Sequence, residues 1–217
     1  ALEAGDRQKA KQLAEQNLVG PNNDQYGRYL SFGDIFMVFN NQKKGLENVT
    51  DYHRDLDITQ AISTTSYAQD GTTFKRETFS SYPDDVTVTH LSKKGDKTLD
   101  FTLWNSLTED LLANGDYSWE YSNYKQGAVT TDSNGILLKG TVKDNGLQFA
   151  SYLGIKTDGQ VTAQGGYLNV TGASYSTLLL SAKTNYAQNP KTNYRKDIDL
   201  ENTVKSIVEA AKAKDYE

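Results

Sequence analysis

Pro83-Asp84-Asp85-Val86-Thr87-Val88-Thr89-His90, followed by Leu99-Asp100-Phe101-Thr102-Leu103, decides the fold class. In both stretches apolar residues hold alternate positions, with hydroxyl or acidic residues between them. A period of two sets one face of a strand against a core and the other toward water. Pro83-Asp84-Asp85 reads as the corner that precedes the first strand. The pattern continues toward the N-terminus. Residues 74–80 and 61–68 read as strands, and Gln69-Asp70-Gly71 between them is a hairpin signal. Tyr52, Arg54, Leu56 and Ile58 share one face of another strand. Ile35-Phe36-Met37-Val38-Phe39 is a nearly continuous apolar run, as in a central strand. Toward the C-terminus, strands are predicted at 136–142, 147–155, 161–164, 167–170 and 174–182. Asp144-Asn145-Gly146 and Asp158-Gly159 supply turns between them. Strands recurring about every ten residues predict an all-β protein, a large antiparallel β-sandwich.

A helix is predicted near each end. Residues 6–19 carry Asp6 as a cap and Ala10, Leu13, Ala14 and Leu18 as an apolar stripe, and Gly20-Pro21 stops them. The second helix starts near Asp199, with Leu200, Val204, Ile207, Val208 and Ala211 as its stripe. The polar stretch 186–196 before it reads as a linker. The last residues, 213–217, read as still inside this helix, with no C-cap. The predicted organisation is a sandwich domain over 1–196, with helix 6–19 at its start, and the beginning of a helical linker over 197–217. Both ends read as boundaries within a longer protein.

Composition narrows the function classes. The 217 residues are 36% hydrophobic and 24% charged, enough for one substantial β domain whose sheets partly face water. There are 17 glycines, 14 tyrosines and 3 prolines, which suits many strands joined by tight turns. A net charge of −5 lacks the basic footprint of a nucleic-acid binder. Without cysteine there is no disulfide, thiolate metal site or cysteine nucleophile. No apolar run reaches membrane-spanning length.

Residues that carry chemistry are few. His53 and His90 have no metal-ligand neighbour at useful spacing, so both read as structural, His53 exposed and His90 on the face of Val86 and Val88. Asp84 with Asp85, Glu109 with Asp110, and Asp55 with Asp57 are carboxylate pairs. Glycoside hydrolysis needs two carboxyls facing each other across a bond. Close neighbours on a strand do not provide that, and no catalytic role is assigned to any of them. Neither a metal nor a cofactor is expected. Alternation puts Arg54 on an apolar face, where a charge must be paired; the expected solution is an ion pair with a carboxylate from a neighbouring strand, Glu77 for instance, and the alternative is substrate binding. Tyr117, Trp119, Tyr121 and Tyr124 form an aromatic cluster suited either to the C–H faces of a sugar or to packing against another domain. Trp119, Tyr121 and Tyr124 are the candidate binding residues.

Several segments, in order, resemble the N-terminal domain of family-95 glycoside hydrolases. Tyr52-His53-Arg54-Asp55-Leu56-Asp57-Ile58-Thr59-Gln60-Ala61 is similar to that family's Tyr-x-Arg-x-Leu-Asp-Leu-x-x-Ala segment. Arg76-Glu77-Thr78-Phe79-Ser80-Ser81-Tyr82-Pro83-Asp84 is similar to its Arg-Glu-x-Phe-x-Ser-x-Pro-Asp. Tyr29 to Asp34, Gly172-Ala173 with Leu178 to Leu180 and Lys183 to Tyr186, and the last helix match further pieces. The region 105–135 contributes little. The resemblance implies the non-catalytic β-sandwich of an exo-α-L-fucosidase that removes terminal α1,2-linked L-fucose from glycans by inversion. It implies a partner in the same polypeptide, an (α/α)6 catalytic barrel that holds the acid and base, so no catalytic residue is carried over to this chain. It also implies a bacterial parent that works outside the cell or on its surface. Alternatives are an autonomous carbohydrate-binding module, part of an α-L-galactosidase, or a surface assembly domain.

Overall fold

Asp70 and Gly71 both have positive φ, 49° and 78°, the conformation a two-residue hairpin turn requires. They join β3 (Ile62–Gln69) to β4 (Thr72–Ser81). This is a computed structural model, and it describes residues 1–18, 32–40, 48–107 and 125–216. The remaining strands are β1 (Ile35–Phe39), β2 (Val49–Asp57), β5 (Val86–Lys94), β6 (Leu99–Asn105), β7 (Lys125–Asp132) and β8 (Gly135–Val142). They continue with β9 (Gln148–Thr157), β10 (Gln160–Gln164), β11 (Tyr167–Ala173) and β12 (Tyr175–Thr184). Among the described residues the strands form an eight-stranded sheet, β2-β3-β4-β5-β12-β9-β8-β7, and a four-stranded sheet, β1-β6-β11-β10. All neighbours are antiparallel. The predicted sandwich is the observed fold.

The residues that alternate in sequence build the core between the sheets. Leu99, Phe101 and Leu103 of β6 face Leu91, Ile136, Leu153, Ile155 and Leu178 of the larger sheet, all buried. A second core lies on the opposite, outer face of the larger sheet. There α2 (Leu200–Lys212) sets Leu200, Val204, Val208 and Ala211 against Val88, Ala150, Tyr152 and Leu179. These four positions, with the partly buried Ile207, are the predicted stripe. Asp199 caps the helix by accepting from the Asn202 amide at 3.0 Å. Two cores explain why Phe149 to Ile155 of β9 form one unbroken buried run: the strand is covered on both faces.

Gly154 marks where helix and sheet come closest. A Cβ there would lie 2.4 Å from Cγ1 of Val208, inside any permissible contact. Gly154→Ala is therefore expected to push α2 off the sheet and cost about 1–3 kcal/mol, seen as a lower urea midpoint. An unchanged midpoint would mean that the helix yields freely.

Glu201, in the first turn of α2, receives hydrogen bonds from Lys139 at 2.6 Å and Lys205 at 2.8 Å. Those two bonds hold its carboxyl far below its usual value, to about 2. The Lys139 bond also ties the start of the helix to β8.

Several expectations are corrected. The run Ile35–Phe39 is not central. Among the described strands β1 pairs only with β6 and edges the smaller sheet. Its outer face carries Val38, which is exposed, and Phe36, whose ring stacks on Trp104 at 5.4 Å. The stretch 186–196, read as a linker, does join β12 to α2 and is locally folded. It holds a 3-10 turn, Pro190–Thr192, and a bridge between Tyr186 and Arg195. The last helix ends at Lys212, capped by Ala213, and residues 213–216 leave it.

Residues 1–18 belong to a unit of their own. It contains α1 (Arg7–Asn17), capped by Asp6, which accepts from the Lys9 amide at 2.9 Å. No residue of α1 is buried, its predicted apolar stripe included.

Candidate functional site

Val86, Val88 and His90 share the outer face of β5, as alternation predicts, and Glu77, Phe79 and Ser81 stand beside them on β4. Tyr175, Thr177 and Leu179 of β12 continue the same face. The chain leaving α2 lies over this patch and closes a cleft of about 470 Å³. Contacts at Lys214 and Tyr216 hold it there. Lys156 Nζ donates to the Lys214 carbonyl at 3.0 Å. The Lys214 ammonium pairs with Asp84. The Tyr216 ring stacks on the His90 imidazole, with centroids 3.9 Å apart and planes 14° apart.

His90 is half-buried beneath that ring, and its Nδ1 lies 2.8 Å from the Thr177 hydroxyl. Burial pushes its pKa below 6.5; the Glu77 carboxylate opposes the shift and Lys75 adds to it. The Tyr216 hydroxyl rises to about 12, mainly through burial and then through the nearby Glu77 carboxylate. Both rings are thus neutral near pH 7. Asp84 accepts from Lys214 and from the Ser81 hydroxyl, and these bonds hold its pKa below the ordinary carboxylate value. It stays ionised and is not a proton donor. The arrangement grips a chain segment. It does not set two carboxyls across a scissile bond.

The depressed His90 pKa has a consequence for stability. The unfolded imidazole takes up a proton near pH 6.5, before the folded one does. Stability is therefore full above that pH and falls as the pH drops toward the folded pKa. A urea midpoint that declines from pH 7 to pH 5 less steeply in His90→Gln than in the unsubstituted chain is the expected result. Parallel declines would show that the histidine plays no part.

The other sequence-singled residues separate. Trp119, Tyr121 and Tyr124, with Tyr117 and the Glu109-Asp110 pair, lie outside the described residues. His53 is exposed, as expected. Asp85, at φ 57°, sits in the turn before β5, and Asp57 accepts from the Thr59 and Gln60 amides, so both shape turns. The expected Arg54–Glu77 pair does not form. Arg54 is exposed, and Glu77 points to the outer face, where Lys75 binds it at 2.7 Å. Arg54 lies opposite Thr65, whereas Glu77 lies opposite Thr64, one step along a strand whose faces alternate. The Tyr216–His90 stack was not anticipated, because residues 213–217 read as helix. The one sequence signal for it was a histidine placed on an apolar face.

The fold is thus a two-sheet antiparallel sandwich whose larger sheet carries α2 docked on its outer face. The chain belongs to the family described as glycosyl hydrolase family 65, N-terminal domain, whose model matches residues 1–189. The resemblance drawn from sequence carried the number 95 and described the same kind of domain. Alpha-L-fucosidase 2 of Arabidopsis thaliana is 25% identical over 182 residues, an alignment that covers 73% of this chain and 20% of that protein. The chain thus spans about a fifth of the length of this curated relative.

Proposed function

We propose that this chain is the non-catalytic N-terminal scaffold of an exo-acting glycosidase that releases terminal α1,2-linked L-fucose by inversion. The observation that carries the scaffold role is the outer-face grip: α2 is docked on the sheet, and the segment after it is strapped across β4 and β5 by Lys156, Asp84 and His90. Such a grip supports a role in directing the chain toward the (α/α)6 catalytic domain that this reading puts in the same polypeptide. The name of the Arabidopsis relative supports fucose as the sugar.

The test is fucose release from 2′-fucosyllactose by this chain and by its full-length parent, side by side. Release by the parent alone is expected. Release by this chain would place a catalytic pair within it and end the scaffold reading. If neither releases fucose but the parent cleaves an α-L-galactoside, the scaffold role stands and the sugar is corrected.

A further inference from the structure

The smaller sheet covers only part of the larger one. Ile35 and Met37 of β1 close the core near Leu178 and Leu180 of β12. Beyond them Arg54 of β2, Ser63 and Thr65 of β3, and Arg76 and Thr78 of β4, with Thr87 and Thr89 of β5, line a cleft of about 400 Å³. Arg54 lies opposite Thr65, and Thr65 lies opposite Arg76. The two arginines therefore flank one threonine from strands roughly 10 Å apart. Thr78 and Thr89 share a hydrogen bond of 3.2 Å nearby, and Ser80 and Thr87 one of 3.1 Å.

The charge here is unbalanced. None of the described residues that line the cleft is acidic. Among the described residues neither arginine pairs with a carboxylate, and the nearest glutamate in sequence, Glu77, is engaged by Lys75 on the opposite face. Two guanidinium groups, neither paired with a carboxylate among the described residues, thus stand together on a chain whose net charge is −5. A guanidinium presents a planar fork of donors that matches the oxygens of a carboxylate or sulfate. The hydroxyl row beside it suits a polyhydroxylated ligand. Ile35, Met37 and Leu103 offer an apolar wall for the C–H face of a ring. The volume is within the usual range of small-molecule sites, roughly 300–1,000 Å³.

We infer that this cleft binds an acidic saccharide, with its carboxylate or sulfate group between Arg54 and Arg76. The inference is independent of which sugar the parent releases. Its test is titration of the 217-residue chain, followed by NMR, with four probes. These are a glucuronate-containing disaccharide, a sulfated disaccharide, lactose and inorganic sulfate. An acidic disaccharide is expected to bind at least about tenfold more tightly than lactose or inorganic sulfate, and to weaken with added salt. Whichever acidic disaccharide binds better names the anion. Arg54→Gln and Arg76→Gln are each expected to weaken binding about tenfold. Both side chains are exposed, so the thermal midpoint should hold and unfolding would not explain the loss. Absence of binding, equal binding of inorganic sulfate, or binding indifferent to both variants would overturn the assignment. Self-association abolished by both variants would also overturn it, giving the face to a second copy of the chain.

Discussion

Replacing Phe101 by Ala is expected to lower the stability of the sandwich by about 3–5 kcal/mol. Phe101 has no solvent exposure and sits in the middle of β6, paired with Phe39 on one side and Val170 on the other. Its ring lies 5.6 Å from that of Phe39. The two sheets meet through this side chain, so its loss leaves a cavity that neither sheet is free to fill. The cost combines lost transfer free energy with the void left behind. Urea unfolding followed by circular dichroism reads it directly. A loss below about 1 kcal/mol would mean that the sheets close over the gap, contrary to close packing of this core.

Val204→Asp is expected to cost about as much by a different route. Val204 is fully buried where α2 meets the sheet. An unpaired carboxylate there either stays charged in an apolar site or takes up a proton, and both outcomes cost several kcal/mol. The cheaper response is release of the helix. Amides of α2 should then exchange quickly with solvent while those of β6 and β11 in the smaller sheet stay protected, a local opening rather than global unfolding. Loss of protection in all of these elements together would show that the outer core is needed for the sandwich to stand.

Much of this fold could be read in the sequence because its strongest signals are local. The alternation in β5 and β6, the Asp70-Gly71 turn and the stripe of α2 each depend on residues within a few positions of one another. The errors arose where the meaning of a pattern depends on distant neighbours. Ile35–Phe39 reads the same whether its second face meets a helix or an aromatic ring, and only Trp104 on β6 decides between them. Arg54 was placed on the correct face, but that face is uncovered at β2, so the demand for a buried partner disappeared. The site was the least legible part. Tyr216 reaches His90 because Ala213 ends the helix there, and nothing in the pattern of Ala210 to Lys214 marks that stop. The aromatic cluster with Trp119, Tyr121 and Tyr124 lies outside the described residues, so its two readings stand as the sequence left them.

The strand order also bears on how the chain is made. β2 to β5 form one meander and β7 to β9 another, each from neighbouring hairpins. β12 lies between them, paired to β5 on one side and β9 on the other. During synthesis the meanders emerge first as separate ribbons, each with an open edge. The eight-stranded sheet becomes continuous only when Tyr175–Thr184 has left the ribosome. Pairings of such long sequence separation form slowly, and exposed edges invite wrong partners in the interval. A stall in translation just before β12 would therefore leave two sticky half-sheets, and a chaperone would find its substrate there.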